Sequence, residues 1–298
     1  MEVFMSKKIL QWATCALLAA SILCIILMYV SAHCVHLQTT HIYLNDLPPA
    51  FDGLRVLFVG DIDLTESSVT RTNRLFRDLQ SLSPDVLILG GDYTSASVSD
   101  IFSDSVYPDG DSQRILHTQF FSELADFSAP LGKFAVLSLD DANVPDIAQM
   151  MAQYGIACLA DNAVRIDRDF SSLYIAGLYP LSENSAGISQ LGANFMRDSC
   201  VIACIHSPEG FPSIQISEAA DGGSWCDLVL SCGTHDGQIR LFGNPFLPLS
   251  ARERRYANGW FVENGVKLLV SGGLGCEGLP LRLGTQAQVH LLILHCFT

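Results

Sequence analysis

Four short apolar runs, each ending at residues able to hold a metal ion or move a proton, constrain this chain more than any other feature. Residues 56–59 run into Gly60-Asp61-Ile62-Asp63, residues 86–89 into Gly90-Gly91-Asp92, and residues 201–205 into His206. Residues 228–230 run into a glycine-bracketed loop, Gly233-Thr234-His235-Asp236-Gly237. Apolar runs this short, without polar alternation, suit strands covered on both faces. In layered α/β folds the loops beyond strand carboxyl ends converge on one crevice, so four such ends imply a shared centre. One loop histidine alone would more often be a surface residue, and the repetition is what carries the inference.

The segments between these runs are helical in period. Leu75, Leu79 and Leu82 predict a helix over 65–82 that stops before Pro84, and Leu116, Phe120, Leu124 and Phe127 predict another over 115–127. A third is expected over 146–154, closed by Gly155. Further strands are expected at 134–137, 172–176, 267–271 and 288–294, with Asn258-Gly259 and Asn264-Gly265 as tight turns around a short hairpin. Residues 94–113, rich in Ser and Asp, read as an exposed loop. The fold class is α/β: a two-sheet sandwich flanked by helices over 50–298, preceded by an N-terminal transmembrane helix.

Residues 1–8 form a short terminus and 9–30 an unbroken apolar run without formal charge. About 20 such residues cross a hydrocarbon core, which favours a retained anchor. A signal peptide cut after Val30-Ser31-Ala32 is the alternative. Lys7 and Lys8, with no further Lys or Arg before Arg55, put the N-terminus in the cytoplasm and the globular part outside it, with a single pass between. Residues 31–49, with Asn45-Asp46 and Pro48-Pro49, read as a linker.

A formal net charge of -14 excludes a nucleic-acid binder that works through phosphate contacts. The 10 cysteines show no Cys-x-x-Cys spacing, so a zinc ribbon is excluded and most are expected as buried thiols.

The ordered set Gly60-Asp61-x-Asp63, Gly91-Asp92, Ala135-Val-Leu137 with its acidic loop, His206, and Thr234-His235-Asp-Gly-Gln238 resembles the calcineurin-like metallophosphoesterases. It is most similar to membrane-associated bacterial members, whose tail reads like Val270-Ser-Gly-Gly-Leu-Gly275 followed by Pro280-Leu-Arg282. The resemblance covers about residue 50 to the end. It implies two metal ions in strand-end loops that clamp a phosphoryl group for in-line attack by water. Carried over, Asp61 and His235 match ligands of the first metal, Asp92 the bridging carboxylate, and His206 a ligand of the second. The sequence departs from the pattern at Asp63, where the family has histidine, and at Leu139, which cannot coordinate. Asp140 stands where a histidine would contact the phosphoryl group, and Gly233 is a further lost ligand.

Asp61, Asp63, Asp92 and His235 thus remain as a metal set suited to Mn²⁺, Mg²⁺ or Fe²⁺, with Zn²⁺ also to be tested. One ion is expected, while a second would have His206 and Asp92 plus a rescuing Asp140, Asp141 or Asp236. Two functions follow from the resemblance. One is a membrane-anchored hydrolase of a phosphomonoester or phosphodiester, with Asp140 and His206 in catalytic roles and a phosphate-ester small molecule or lipid as substrate. The other is an inactive descendant that binds a phosphorylated ligand or a protein partner at the membrane.

Overall fold

Val56 and Phe58 pack into one apolar cluster and Leu57 and Val59 into another, and all four are fully buried. A strand with two apolar faces must be covered twice, and that requirement generates the layers. The computed structural model describes residues 2–95, 110–180, 185–246 and 249–297. In chain order the strands and α-helices are α1 (Glu2–His33), β1 (Val35–Leu44), β2 (Leu54–Val59), α2 (Val69–Leu79), β3 (Val86–Leu89), α3 (Gly110–Ala125) and β4 (Lys133–Ala135). Then come α4 (Leu139–Ala142), α5 (Ile147–Gln153), β5 (Ile156–Cys158), β6 (Asn162–Arg168), β7 (Ser171–Gly177), α6 (Ser185–Gly192), β8 (Val201–Cys204) and α7 (Phe211–Ile216). The chain closes with β9 (Leu228–Ser231), β10 (Arg240–Leu241), β11 (Asn244–Pro245), α8 (Ala251–Arg255), β12 (Gly259–Glu263), β13 (Val266–Val270) and β14 (Ala287–Cys296).

One six-stranded sheet has the order β1-β14-β2-β3-β4-β5 and the other β12-β13-β9-β8-β7-β6. Strands β2 to β5 are parallel, as are β7, β8, β9 and β13. Phe58 and Ile88 from the first sheet meet Ile175, Ile202 and Leu230 from the second in the inner core. Phe76, Phe120 and Met151 cover the outer face of the first sheet, and Phe211, Ile214 and Trp225 that of the second. The expected two-sheet α/β sandwich flanked by helices is what forms. Parallel strands send their carboxyl ends the same way, so the loops after β2, β3, β8 and β9 share one edge of the sandwich.

The sheets come closest at that edge. A Cβ on Gly60 or Gly90 would lie 2.4 or 2.7 Å from the Cys232 sulfur just beyond β9, closer than any side chain allows. Glycine at both positions is what lets the two sets of loops meet.

Residues 31–49 are not the linker expected of them. Ten of these residues form β1, paired in parallel with β14 from Val35 opposite Ala287 to Leu44 opposite Cys296. The apolar helix therefore feeds the sheet edge directly: α1 ends at His33 and β1 begins at Val35. Lys7–His33 is long and apolar enough to cross a membrane. Its base is fastened to the domain, because the Arg282 amide donates to the Met28 carbonyl at 3.1 Å and the Ser31 hydroxyl to the Thr285 carbonyl at 3.2 Å. The hairpin turn is as expected, with Asn264 and Gly265 at φ 51 and 84° between β12 and β13. Most of the loop expected over 94–113 lies outside the described residues, and the helix after it begins at Gly110.

One core group ties stability to acidity. His290 on β14 is 1% exposed, with Nε2 3.1 Å from the Ser271 hydroxyl and Nδ1 without a partner. Burial, and secondarily the neighbouring His36, lowers its pKa to about 4. The unfolded chain binds a proton near pH 6.5 that the folded chain refuses, so this contribution is complete above pH 6.5 and is lost as pH falls towards 4. The expected loss is about 3 kcal/mol. Urea melts at pH 7 and 4.5 should show it as a steeper acid loss in the wild type than in His290→Asn, and equal slopes would refute it.

Candidate metal centre

The backbone at this edge adopts conformations that side chains normally avoid. Asp61, Asp63, Asp92 and His235 all have positive φ, at 46, 50, 58 and 49°. Each such residue costs of order 1–3 kcal/mol and persists only where its surroundings over-determine it. Here the hydrogen bonds do so. The amides of Asp61, Ile62 and Asp63 donate to the carbonyls of Gly91 and Asp92 at 2.8–3.1 Å, tying the β2 and β3 loops together. The Gly275 amide donates to the Asp61 carbonyl at 2.6 Å, bringing in the segment after β13. A Cβ at Gly273 would stand 2.6 Å from the Asp61 side chain, and one at Gly275 2.4 Å from that of Asp63, so two glycines let bare backbone close the floor of the site.

Within this frame, Asp61, Asp92 and His235 offer ligand atoms that all lie within 4.8 Å of one another. His235 Nδ1 is 3.7 Å from Asp63 Oδ2, and its Nε2 is 3.9 Å from Asp92 Oδ2. These separations are too long for hydrogen bonds. Asp63 and Asp92 face opposite ring nitrogens, so an ion held by one nitrogen of His235 has only one of these two separations as a ligand–ligand distance. Asp63 is 4% exposed, and neither carboxylate oxygen has a hydrogen-bond partner; His235 Nδ1 has none either. Burial pushes the Asp63 carboxyl up to about 7 against the pull of His235. Burial and then the charge of Asp63 push Asp92 well above the usual carboxylate range. A divalent ion fits the ligand atoms of Asp61, Asp92 and His235, and its charge would relieve the repulsion among these carboxylates and the orphaned Asp63 beside them.

His206 faces the neighbouring space, with Nδ1 3.0 Å from the Gly90 carbonyl and 3.8 Å from Asp61 Oδ1. It groups with Asp61 and Cys232, whose ligand atoms also lie within 4.8 Å of one another. Asp61 belongs to both groups. Its two oxygens accept from the Gly233 amide at 2.8 and 2.9 Å. A Cβ on Gly233 would come within 2.9 Å of His206 Nε2, so the ring occupies the space into which a side chain at 233 would project. Cys232 was read from sequence as one buried thiol among several. Its place directly beyond a strand end, beside the lost ligand position, was the signal available. Burial raises its pKa well above the thiol range, and Sγ donates to the Gly90 carbonyl at 3.2 Å.

Two of the three carboxylates considered for rescuing a second ion are committed elsewhere. Asp141 accepts from the amides of Asp92, Tyr93 and Ser138 at 2.7, 3.0 and 2.8 Å, and its own amide donates to Ser138 Oγ, completing a capping box on α4. It aims Asp92 rather than joining it. Asp236 accepts from the Arg240 guanidinium and, at 3.2 Å, from Asn258. Asp140 is exposed on α4 next to Leu139, which is 52% exposed.

Arg282 is the residue whose part the sequence hid. Fully buried, it donates to the carbonyls of Gly272, Gly273, Gly275, His235 and Gln286 at 2.7–3.3 Å. One guanidinium thereby fixes the loops that carry His235 and floor Asp61 and Asp63, and its charge opposes the rise in the Asp63 pKa.

No protein-family model matches the chain. It is 24% identical, over an alignment of 311 positions that covers 97% of this chain, to a Bos taurus protein named transmembrane protein with metallophosphoesterase domain. It is 22% identical over 265 residues to the Danio rerio protein of the same name, covering 83% of this chain. The chain spans 64% and 54% of the lengths of these two relatives. It is 25% identical over 274 residues to the uncharacterized protein YpbG of Bacillus subtilis (strain 168), covering 90% of each. Among solved structures it is similar to GAP50, the anchor in the inner membrane complex of Plasmodium, with a TM-score of 0.36 and 15% identity over 74% of this chain and 71% of that one. The resemblance read from the motifs and the names of two of these curated relatives agree.

Proposed function

From this likeness to metallophosphoesterase-domain proteins, we propose that the chain is a membrane-anchored hydrolase of phosphomonoesters or phosphodiesters. Its N-terminus lies in the cytoplasm and its domain outside. The observation that carries the reading is the Asp63 carboxylate, buried without a partner beside Asp61, Asp92 and His235. Burying an unpaired carboxylate costs several kcal/mol, a cost that a neighbouring cation would offset.

Asp61, Asp63, Asp92 and His235 would hold one divalent ion, which supplies Lewis-acid polarisation of a phosphoryl oxygen when bound. Asp61, His206 and Cys232 offer a smaller set beside it, in which Asp61 is shared. Asp141 orients Asp92 through the Asp92 amide, and Arg282 keeps the His235 loop in register with the floor of the site. His206, at the open side, is assigned to steady the phosphoryl group, and the exposed Asp140 to move a proton at the leaving oxygen.

Turnover of bis(p-nitrophenyl) phosphate with Mn²⁺, Mg²⁺, Fe²⁺ or Zn²⁺ tests the proposal, and inactivity with all four would overturn it. A second reading, a non-catalytic protein that binds a phosphorylated ligand or a partner, is favoured by Leu139 and Gly233, which remove two ligands. Ion stoichiometry separates the two readings: two ions per chain exclude the second, and none excludes the first.

Ion binding should also register as stability. An ion held only by the folded chain contributes about 2.7 kcal/mol at a hundredfold excess over Kd. For a chain this size that raises the unfolding midpoint by roughly 5–10 °C. Differential scanning fluorimetry with Mn²⁺ should show the rise, EDTA should reverse it, and Asp63→Asn should lack it. A midpoint indifferent to Mn²⁺ would count against an ion at this site.

A further inference from the structure

A cavity of about 510 Å³ lies between the base of the apolar helix, α2 and the segment after β13. Tyr29 and His33, in the last turns of α1, form one wall. Arg71 and Arg74 of α2 form another, and Asp63 of the metal centre reaches the same cavity. The base of the apolar helix, a pair of cations and one residue of the candidate metal centre, Asp63, therefore line one space.

Three independent features give that space a ligand chemistry. The first is charge: the exposed side chains of Arg71 and Arg74 make no hydrogen bond or ion pair with any described residue, although both line a cavity in a chain of formal net charge -14. Asp78 is the carboxylate that lines it besides Asp63, and it too lies on α2. Unengaged guanidinium forks are matched to phosphate oxygens, which they grip in bidentate fashion. The second is Asp63, whose place on the cavity wall sets the cavity next to the centre proposed above, its carboxylate oxygens buried and unpartnered behind that wall. The third is height. An α-helix rises about 1.5 Å per residue and a hydrocarbon core is ~30 Å thick, so about 20 residues counted from residue 9 fill it and Tyr29 and His33 emerge at headgroup level. Tyrosine is a residue favoured there. Apolar Val35, Leu75 and Leu274 complete the lining and suit the glycerol end of a lipid rather than a wholly hydrated anion.

We propose that this cavity admits the headgroup of an anionic phospholipid from the membrane surface, with Arg71 and Arg74 taking its phosphate, so that the phosphoester processed is carried by a lipid. The inference rests on the metallophosphoesterase reading for its chemistry, but on the cavity alone for binding. A free phosphate ester presents the same oxygens to the arginines, and the test separates the two sources.

The full-length protein, purified in detergent micelles without added metal, is followed by thermal unfolding as the micelles are doped with phosphatidic acid, with diacylglycerol as the lipid lacking phosphate. Glycerol 3-phosphate supplies the soluble arm. The expected result is a dose-dependent rise in midpoint with phosphatidic acid alone. The apparent affinity should fall about tenfold or more in R71E/R74E, the loss of charge-assisted contacts worth ~1.4 kcal/mol or more. Should that variant fold poorly, R71Q/R74Q removes the charge more gently and should lose the affinity likewise.

Equal stabilisation of the wild type and both variants, no stabilisation at all, or an equal response to glycerol 3-phosphate would each overturn the proposal. Bis(p-nitrophenyl) phosphate turnover with Mn²⁺ on the same preparation keeps the two readings apart. Turnover without a lipid response leaves the phosphoesterase and removes the lipid. A lipid response without turnover leaves the binding cavity and removes the hydrolysis.

Discussion

Asp61→Asn reduces metal-dependent turnover of bis(p-nitrophenyl) phosphate by about a thousandfold or more, a loss of ~4 kcal/mol of transition-state stabilisation. The expectation follows from Asp61 being common to both ligand groups and from its two oxygens sharing the Gly233 amide. An asparagine has nearly the same shape and keeps one oxygen for that amide, so the fold should survive while the charge is lost. The Asn Nδ2 has two protons that cannot point at a cation. Ion content should fall with activity, and elemental analysis together with near-UV circular dichroism checks that the site, not the fold, was removed. Retention of more than about a tenth of the wild-type rate, a difference of only ~1.4 kcal/mol, would mean that the chemistry lies elsewhere.

Arg282→Met unfolds the site from beneath. The side chain is fully buried and supports carbonyls of five residues, on the segments at 235, 272–275 and 286. Methionine fills much of the volume but leaves those oxygens without donors and the neighbouring Asp61 and Asp63 without a buried positive charge. Removing one member of a buried charge network typically costs 3–5 kcal/mol, and a fall in unfolding midpoint of roughly 10 °C is expected. Arg282→Lys should recover only part of this, because a single ammonium has three protons and no planar fork with which to reach carbonyls on several segments. A Met variant within 1–2 °C of wild type in thermal melts would contradict the role assigned to Arg282.

These two residues also show where the sequence was transparent and where it was not. The strands that deliver Asp61, Asp92, His206 and His235 were legible because both faces of each are buried, leaving runs with no polar interruption. β1 was missed for the opposite physical reason. It is an edge strand, Val-His-Leu-Gln-Thr-Thr-His-Ile-Tyr-Leu, of whose ten residues only Ile42 and Leu44 are buried, so backbone pairing with β14 holds it and leaves little side-chain pattern. The gathering of Asp61, Asp92 and His235 could be anticipated from strand-end logic. Which aspartates would be spent on capping could not, since Asp141 and Asp140 differ by one position yet one is fixed by three amides and the other is exposed. Arg282 looked like part of a tail motif, and nothing local to it reports contacts with carbonyls brought from positions 235 and 272.

The direct passage from α1 into β1 settles how far the domain can roam. With Cys34 alone between helix and strand, and ten paired residues following, there is no leash on which the domain could swing away from its root. For the membrane-anchored hydrolase proposed above, so short a mount would confine the domain to a thin slab of space just above one leaflet, explored by drifting sideways. Its effective supply of reactant would then be a number of molecules per unit area, and crowding of that leaflet, not the volume of the compartment, would set how often it is visited.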